Sequence, residues 1–412
     1  MLQKIIFVFF KICKMKKGFL TKTILILSAI SFFTDVASEM LYPIIPIYLK
    51  SIGMSVAFIG ILEGFAEALA GLSKGFFGFW SDKISKRAPF IRFGYTLSSI
   101  SKPMMGLLPY PIWVFTARTL DRLGKGIRTS ARDAMLSDET TPENKGKVFG
   151  FHRSLDTLGA VVGPIITLIL ISTFVLDYRY LFVFSAIPGI IVIVLCFLIK
   201  DKKSKVSKDS TPPSGLILNF FVFWKYLISS SKKYKIVVIP LLVFSLFNSS
   251  DFFLLLKLKE YGFTDQTVIL FYVLFNLSYA IFSYPAGKLA DNLGMRKVIA
   301  FGFLIFSFVY VSINFSGAVF WLIIVFSVYG LFNASTEGIS KALITNIVSS
   351  GETATALGAY NSFSSITTLL ASSFTGLIWN YFGSTIALLI SGAVSFLVFI
   401  YFAFLLKMED KK

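Results

Sequence analysis

Charge is what this chain has least of. Only 15% of its 412 residues are Asp, Glu, Lys or Arg, against roughly 25% in an ordinary soluble protein. Cysteine and histidine are scarcer still. Cys13 and Cys196 lie far apart with no ligand or redox spacing, which argues against zinc, disulfide and thiol-redox chemistry. The single His152 builds no metal site by itself. No glycine-rich phosphate loop is present, because Gly124-Lys125-Gly126 lacks the required spacing. No soluble domain and no nucleophile constellation stand out, so an enzyme or a membrane sensor is the weaker expectation, and no cofactor is expected. A short apolar stretch at 5–10 has no small-residue cleavage site after it, so a cleaved signal peptide is not expected. Met15, followed by Lys16 and Lys17, is an alternative start.

What fills the chain instead is apolar. Hydrophobic residues make up 55%, Phe alone numbers 46, and mean hydropathy is +0.76. The apolar runs show no polar face at a helical or strand period, which points to lipid as the solvent. A spanning helix needs about 20 apolar residues. On that length the sequence predicts twelve spans, at roughly 23–49, 55–80, 90–108, 111–135, 150–175, 180–199, 236–256, 267–286, 298–314, 319–345, 357–380 and 385–406. The expected fold is an all-α membrane protein. The chain divides into a basic tail at 1–22, a six-helix half at 23–199, a linker at 200–235, a second half at 236–406 and a tail at 407–412. The linker is rich in Lys, Ser and Pro and reads as solvated. Its apolar patch at 216–224 suits a membrane surface.

The net charge of +18 raises the question of a nucleic-acid partner, and the position of the charge answers it. Lys83, Lys86, Arg87 and Arg92 follow the second span, Lys145 and Lys147 follow the fourth, and Lys288, Arg296 and Lys297 follow the eighth. The opposite loops offer little beyond Lys50, Arg179, Lys257 and Lys259. Basic loops stay in the cytoplasm. Both termini and the linker are therefore expected inside, in a cell membrane, and nucleic acid is unnecessary. A monomer in the lipid bilayer is expected.

Two halves of similar sequence are visible. Gly53 and Gly262, Gly78 and Gly287, Asp82 and Asp291, and Arg87 and Arg296 each stand 209 residues apart. An even number of spans separates the copies, so the halves run parallel, a known transporter architecture. The repeated element is Gly78-x-x-x-Asp82-Lys83-x-Ser85-Lys86-Arg87 in one copy. In the other it is Gly287-x-x-x-Asp291-Asn292-x-Gly294-x-Arg296-Lys297. Glycine allows close helix approach, and an Asp suits the unpaired N–H groups at a neighbouring helix N-terminus. The element resembles the loop signature of the major facilitator superfamily. Ser85 stands where that family prefers Gly, so a looser first turn is expected.

The fourth span carries Arg118, Arg122, Lys125 and Arg132 at intervals of three, four and seven, one stripe of a helix. A charge at the centre of a bilayer costs at least about 2.5–3.5 kcal/mol, so the stripe should face a wet or protein interior. Arg132 is expected to snorkel to the cytoplasmic surface. Acids lie at similar depth: Asp35 and Glu39 one turn apart, Glu63 and Glu67 one turn apart, and Asp156. They are the natural partners of the cations, and paired carboxylates suit proton carriage. At the 209-residue offset Arg118 meets Ser327, Arg122 Leu331, Glu63 Tyr272 and Glu67 Asn276. Asp251, Glu337 and Lys341 are the deep charges remaining. An ion-handling first half and a more aromatic second half follow.

Three elements resemble the family's proton-coupled exporters: Arg122-x-x-Lys125-Gly126, Pro43-x-x-Pro46, and Gly159-x-x-x-Gly163-Pro164. The resemblance implies a secondary transporter working by alternating access, with proton-coupled export of a small organic solute and a coupling role for Arg122. The expected coupling and cavity residues are Asp35, Glu39, Glu63, Glu67, Arg118, Arg122, Lys125 and Asp156. Asp82 is expected to meet Lys83, Arg87 and Arg132. The alternative is uptake or uniport of an organic anion held by the cations of the fourth span.

Overall fold

A computed structural model describes residues 20–42, 44–45, 48–49, 52–53, 56–173, 178–201, 222–248 and 251–409. It is built from helices. The first half holds α1 (Lys22–Glu39), α2 (Val56–Lys83), α3 (Ala88–Leu107), α4 (Pro111–Asp138), α5 (Lys145–Thr173), α6 (Tyr178–Phe184) and α7 (Ala186–Phe197). A short helix, α8 (Val222–Ser229), follows. The second half holds α9 (Lys232–Ser245), α10 (Phe252–Glu260), α11 (Asp265–Leu293), α12 (Met295–Ser312), α13 (Val319–Ile347), α14 (Thr353–Phe382) and α15 (Ser384–Glu409).

The expected twelve-span, two-half architecture is present, with three of its spans broken. The first, expected unbroken over 23–49, leaves the α-helix after Glu39. The sixth is two helices joined at Ser185, whose Oγ donates to Phe182 O at 2.6 Å. The seventh is α9 followed by α10. Pro43 and Pro46 lie outside the described residues. The linker is not wholly solvated: α8 begins within its apolar patch and packs on α2 and α14.

The outside of the bundle carries exposed Ile112, Phe197, Phe320 and Tyr381, as expected where lipid replaces water. The inside of the second half is aromatic. Phe244 packs on Phe303, Phe306 and Phe332 with ring centroids 4.6, 5.0 and 5.8 Å away. α4 is the exception among the long helices, with seven charged residues between Arg118 and Asp133. It is held inside the first half, against α2 and α3.

Two helix pairs make most of the contact between the halves: α2 with α14, and α5 with α11. Small residues allow this. Gly287 faces Gly146 and Gly150, and Gly75 faces Gly358 and Ser362, too close for any side chain. The repeat extends to backbone detail, since Gly53 and Gly262 share a φ of 86°.

Candidate functional site at the boundary of the halves

The two loop signatures sit at one end of the bundle, here termed the loop end, and each Asp caps a helix of the other half. Asp82 Oδ2 accepts from Thr355 N at 2.6 Å and Thr355 Oγ1 at 2.7 Å, at the start of α14. Asp291 accepts from Gly146 N and Lys147 N, both at 2.8 Å, at the start of α5. A helix N-terminus leaves these N–H groups unpaired and carries partial positive charge, so a carboxylate is well matched to it. Gly78 and Gly287 permit the contact, having no room for a side chain. Arg87 pairs with Asp82 as expected, and its Nε lies 3.5 Å from Asp138. Arg132, expected beside Asp82, is engaged elsewhere, and Lys83 lies over the Phe79 ring. The turn at Ser85 is kept, with Ser85 at φ 51° where its counterpart Gly294 has φ 100°.

Further cross-half bonds continue inward from the loop end. Lys145 Nζ donates to Thr345 O at 2.7 Å, Ser362 Oγ to Gly71 O at 2.7 Å, and Ser154 Oγ to Ala280 O at 2.5 Å. Above them lie two ion pairs between the halves, Lys341 with Asp133 at 3.0 Å and Arg153 with Glu337 at 2.5 Å. Tyr279 donates to the same Glu337 carboxylate at 2.8 Å.

These pairs border a cavity of about 1100 Å³ between the halves. Its acids are Asp35, Glu39, Glu67, Asp156, Asp251 and Glu337, and its cations are Lys74, Lys125, Arg128, Arg132, Arg153 and Lys341. Aromatic walls come from the second half, including Phe244, Phe275, Phe303 and Tyr360. Asp35 and Glu39 are placed there by the expected packing motif. A methyl on Gly159 would lie 2.9 Å from Asp35 Cβ, and one on Gly163 would lie 2.9 Å from Glu39 Cβ. The pair of glycines thus seats α5, with its internal Pro164, directly against the acidic turn of α1. Glu39 also accepts from Tyr272 Oη of the other half at 3.4 Å.

The α4 cations divide among three environments. Arg122 pairs with Glu67 at 3.0 Å. Lys125 lines the cavity. Arg118 lies 3.4 Å from Asp121, which also holds Lys102 of α3 at 2.8 Å and Ser98 at 2.5 Å. That cluster is buried between α3 and α4. Arg118 and Arg122 were expected in the cavity wall, but neither lines it. Arg132, expected at the cytoplasmic surface, is buried and lines it, as does Arg128. Arg132 is held by Asp133 at 2.8 Å, by Ser31 at 3.1 Å and by Tyr95 at 3.4 Å, with Asp156 at 4.0 Å. The Arg128 guanidinium stacks 4.1 Å over Tyr95. Asp133, Asp156 and the Tyr95 ring inside the protein are better partners than a long reach to the surface. The Glu63 side chain lies outside the described residues. His152 bonds Ser31 Oγ at 3.0 Å within the Arg132 cluster. Among the described residues no cluster of His, Cys, Asp and Glu is arranged to hold a metal ion.

The sequence reading missed Lys74, Lys102, Asp121, Asp133 and Arg153. Arg153 and Asp156 stand three apart, a spacing that places them on one helix face. That signal was available, and their bond is 2.5 Å.

Comparison with known proteins decides the family. A model described as Major Facilitator Superfamily matches residues 27–272 and 241–412. The chain belongs to that superfamily. An uncharacterised MFS-type transporter of Methanocaldococcus jannaschii is 32% identical over 366 residues, covering 87% of this chain and 89% of the relative. A multi-drug resistance efflux pump, PmrA, of Streptococcus pneumoniae is 22% identical over 206 residues, covering 47% of this chain and 51% of the pump. Among solved structures, the human organic anion transporter MFSD10 superposes with a TM-score of 0.77 at 14% identity, covering 92% of this chain and 98% of that one. At that identity the likeness speaks for the fold. The superfamily fold accounts for the parallel halves, the twinned loop signatures and the cavity between them.

Proposed function

We propose that this superfamily member exports a small organic solute by alternating access, driven by protons. The observation that carries the reading is the asymmetry of the boundary between the halves. Capped helices, glycine contacts and two ion pairs close it at the loop end, below a cavity that holds carboxylates from both halves. Rocking the halves about this cavity exposes it to one side at a time. Asp35 and Glu39 have no cation at ion-pair distance among the described residues, which suits them to carry protons. Arg122 pairs with Glu67 and acts by position, since arginine does not titrate in proteins. Protonation of Glu337 would release Arg153, and with it one of the two ion pairs across the boundary. The loop end is assigned to the cytoplasm from its lysine and arginine content, which puts both termini inside a cell membrane. Export is favoured by the efflux pump among the relatives. The working unit in this reading is the single chain.

A second reading has its own support. Lys74, Lys125 and Arg128 line the cavity with no acid at ion-pair distance among the described residues, and the buried Arg128 Nε has no hydrogen-bond partner. Three cations without an acid partner among the described residues suit an organic anion. One experiment separates the readings. Proteoliposomes enclosing a pH indicator are challenged with panels of small carboxylates, amines and neutral solutes. Solute-dependent proton release or uptake supports coupling. Solute flux with no proton movement supports the uniport of the second reading, and carboxylates as the preferred solutes support its anion site. Absence of any flux across all panels contradicts transport of these classes.

A further inference from the structure

The linker helix α8 occupies a place that the transport reading does not use. It touches α2 of the first half and α14 of the second, the pair that must part if the loop end opens. Phe223 is the point of contact. It is 2% exposed. Its ring lies 5.2 Å from Phe363 of α14 at 78°, edge to face. On its other side it fills the notch over Gly75 of α2, where a methyl on the glycine would lie 3.0 Å from Phe223 Cδ1. Ala359 and Leu72 complete the pocket. One turn on, Tyr226 Oη donates to Glu352 at 3.2 Å, beside the start of α14. Tyr226 also packs edge to face on Tyr234, whose hydroxyl donates to Ala356 O at 2.8 Å. Trp224, though exposed, packs on the same Phe363 ring at 5.2 Å, whereas Ile228 on the far side of α8 is exposed.

We infer that α8 is a latch, with Phe223 bridging Gly75 and Phe363 to hold the loop end closed. A side chain packed against both halves at once cannot keep both contacts when the halves separate. Each cycle must therefore break the Phe223 contact to one of them, and the linker biases the equilibrium toward the state closed at the loop end. Dispersion contacts and the aromatic pair supply the bias. Gly75 is required by this arrangement, because any side chain there displaces both Phe223 and Ser362.

The inference rests on the alternating-access reading only in requiring that the loop end opens. The test uses full-length protein in nanodiscs, with Cys13 and Cys196 replaced by Ser and a reporter at Ser362→Cys. Ser362 is fully buried at the α2–α14 contact. Its labelling by a membrane-impermeant maleimide therefore reports opening. Phe223→Ala is expected to raise the labelling rate on the order of three- to tenfold. Phe223→Leu is expected to give a smaller rise, and Tyr226→Phe a rise of about twofold from its single hydrogen bond. Ile228→Ala, on the exposed side, is expected to leave the rate unchanged. Circular dichroism and thermal unfolding identify any variant whose labelling comes from misfolding, in which case Phe223→Leu and Tyr226→Phe decide. A rate that ignores residues 223 and 226, or that rises equally for Ile228→Ala, overturns the latch. No labelling of the Ser362→Cys reporter with or without the latch overturns alternating access itself.

Discussion

The two loop signatures are copies in sequence but not in strength. Asp82 lies in a buried site, paired with Arg87 and bonded to both the backbone and the hydroxyl of Thr355. Asp291 is half-buried and holds two backbone N–H groups, from Gly146 and Lys147. The difference traces to the partner helix. At the 209-residue offset Thr355 of α14 corresponds to Gly146 of α5, and glycine has no hydroxyl to give. The first copy is also tied to its surroundings. Arg87 N and Ala88 N donate to Asp201 at 2.7 and 2.9 Å, and Arg87 reaches Asp138. The two copies share one shape, and the first is the more heavily bonded.

That comparison can be broken by treating the copies alike. Asp82→Asn removes an ion pair and weakens two charge-assisted hydrogen bonds, each of which contributes about 1.5–3 kcal/mol. Transport is expected to fall at least about tenfold, with the helix content retained because an amide oxygen still accepts from Thr355. Asp291→Asn is expected to lower transport only about two- to threefold. Equal losses in a solute-uptake assay on the same preparation would show that the extra bonds at Asp82 carry nothing.

The turns sharpen it further, with smaller effects. Gly294 has φ 100° and ψ 131°, a region that other residues enter at a cost of about 1–3 kcal/mol, so Gly294→Ser is expected to destabilise by that amount. Ser85 is already at φ 51°, where the left-handed conformation disfavours a side chain. Ser85→Gly is expected to be neutral or stabilising by up to about 1 kcal/mol. Thermal unfolding in detergent measures both. A destabilising Ser85→Gly would mean that the Ser85 hydroxyl, which donates to Asp82 O at 3.4 Å, outweighs the backbone strain.

Much of the fold was legible because its signals are long and repeated. Apolar runs mark spans, and four residue pairs at one offset mark duplication. The breaks at Ser185 and after Ser245 were not legible, because the apolar composition continues through them. The charged site was legible in part. Spacing placed Asp35 and Glu39 on one turn and predicted an acidic partner for Arg122. It did not place the guanidinium of Arg118 or Arg132. Helical spacing fixes where a long side chain starts, and its charged end then reaches toward whichever acid packing brings near. Asp121 and Asp133 on α4 supplied those alternatives. α8 was hidden for a different reason. Its eight residues are too short to show a period, and its partners lie on two distant helices.

In the proposed mechanism, charge position inside the first half couples proton movement to the motion of both halves. Arg122→Ala tests it most directly, in proteoliposomes that compare gradient-driven accumulation of one solute with its exchange at zero gradient. Wild-type exchange with driven accumulation lost, and part of it restored by Arg122→Lys, is the predicted result. A well-folded Arg122→Ala protein that keeps both activities at the wild-type level would contradict it.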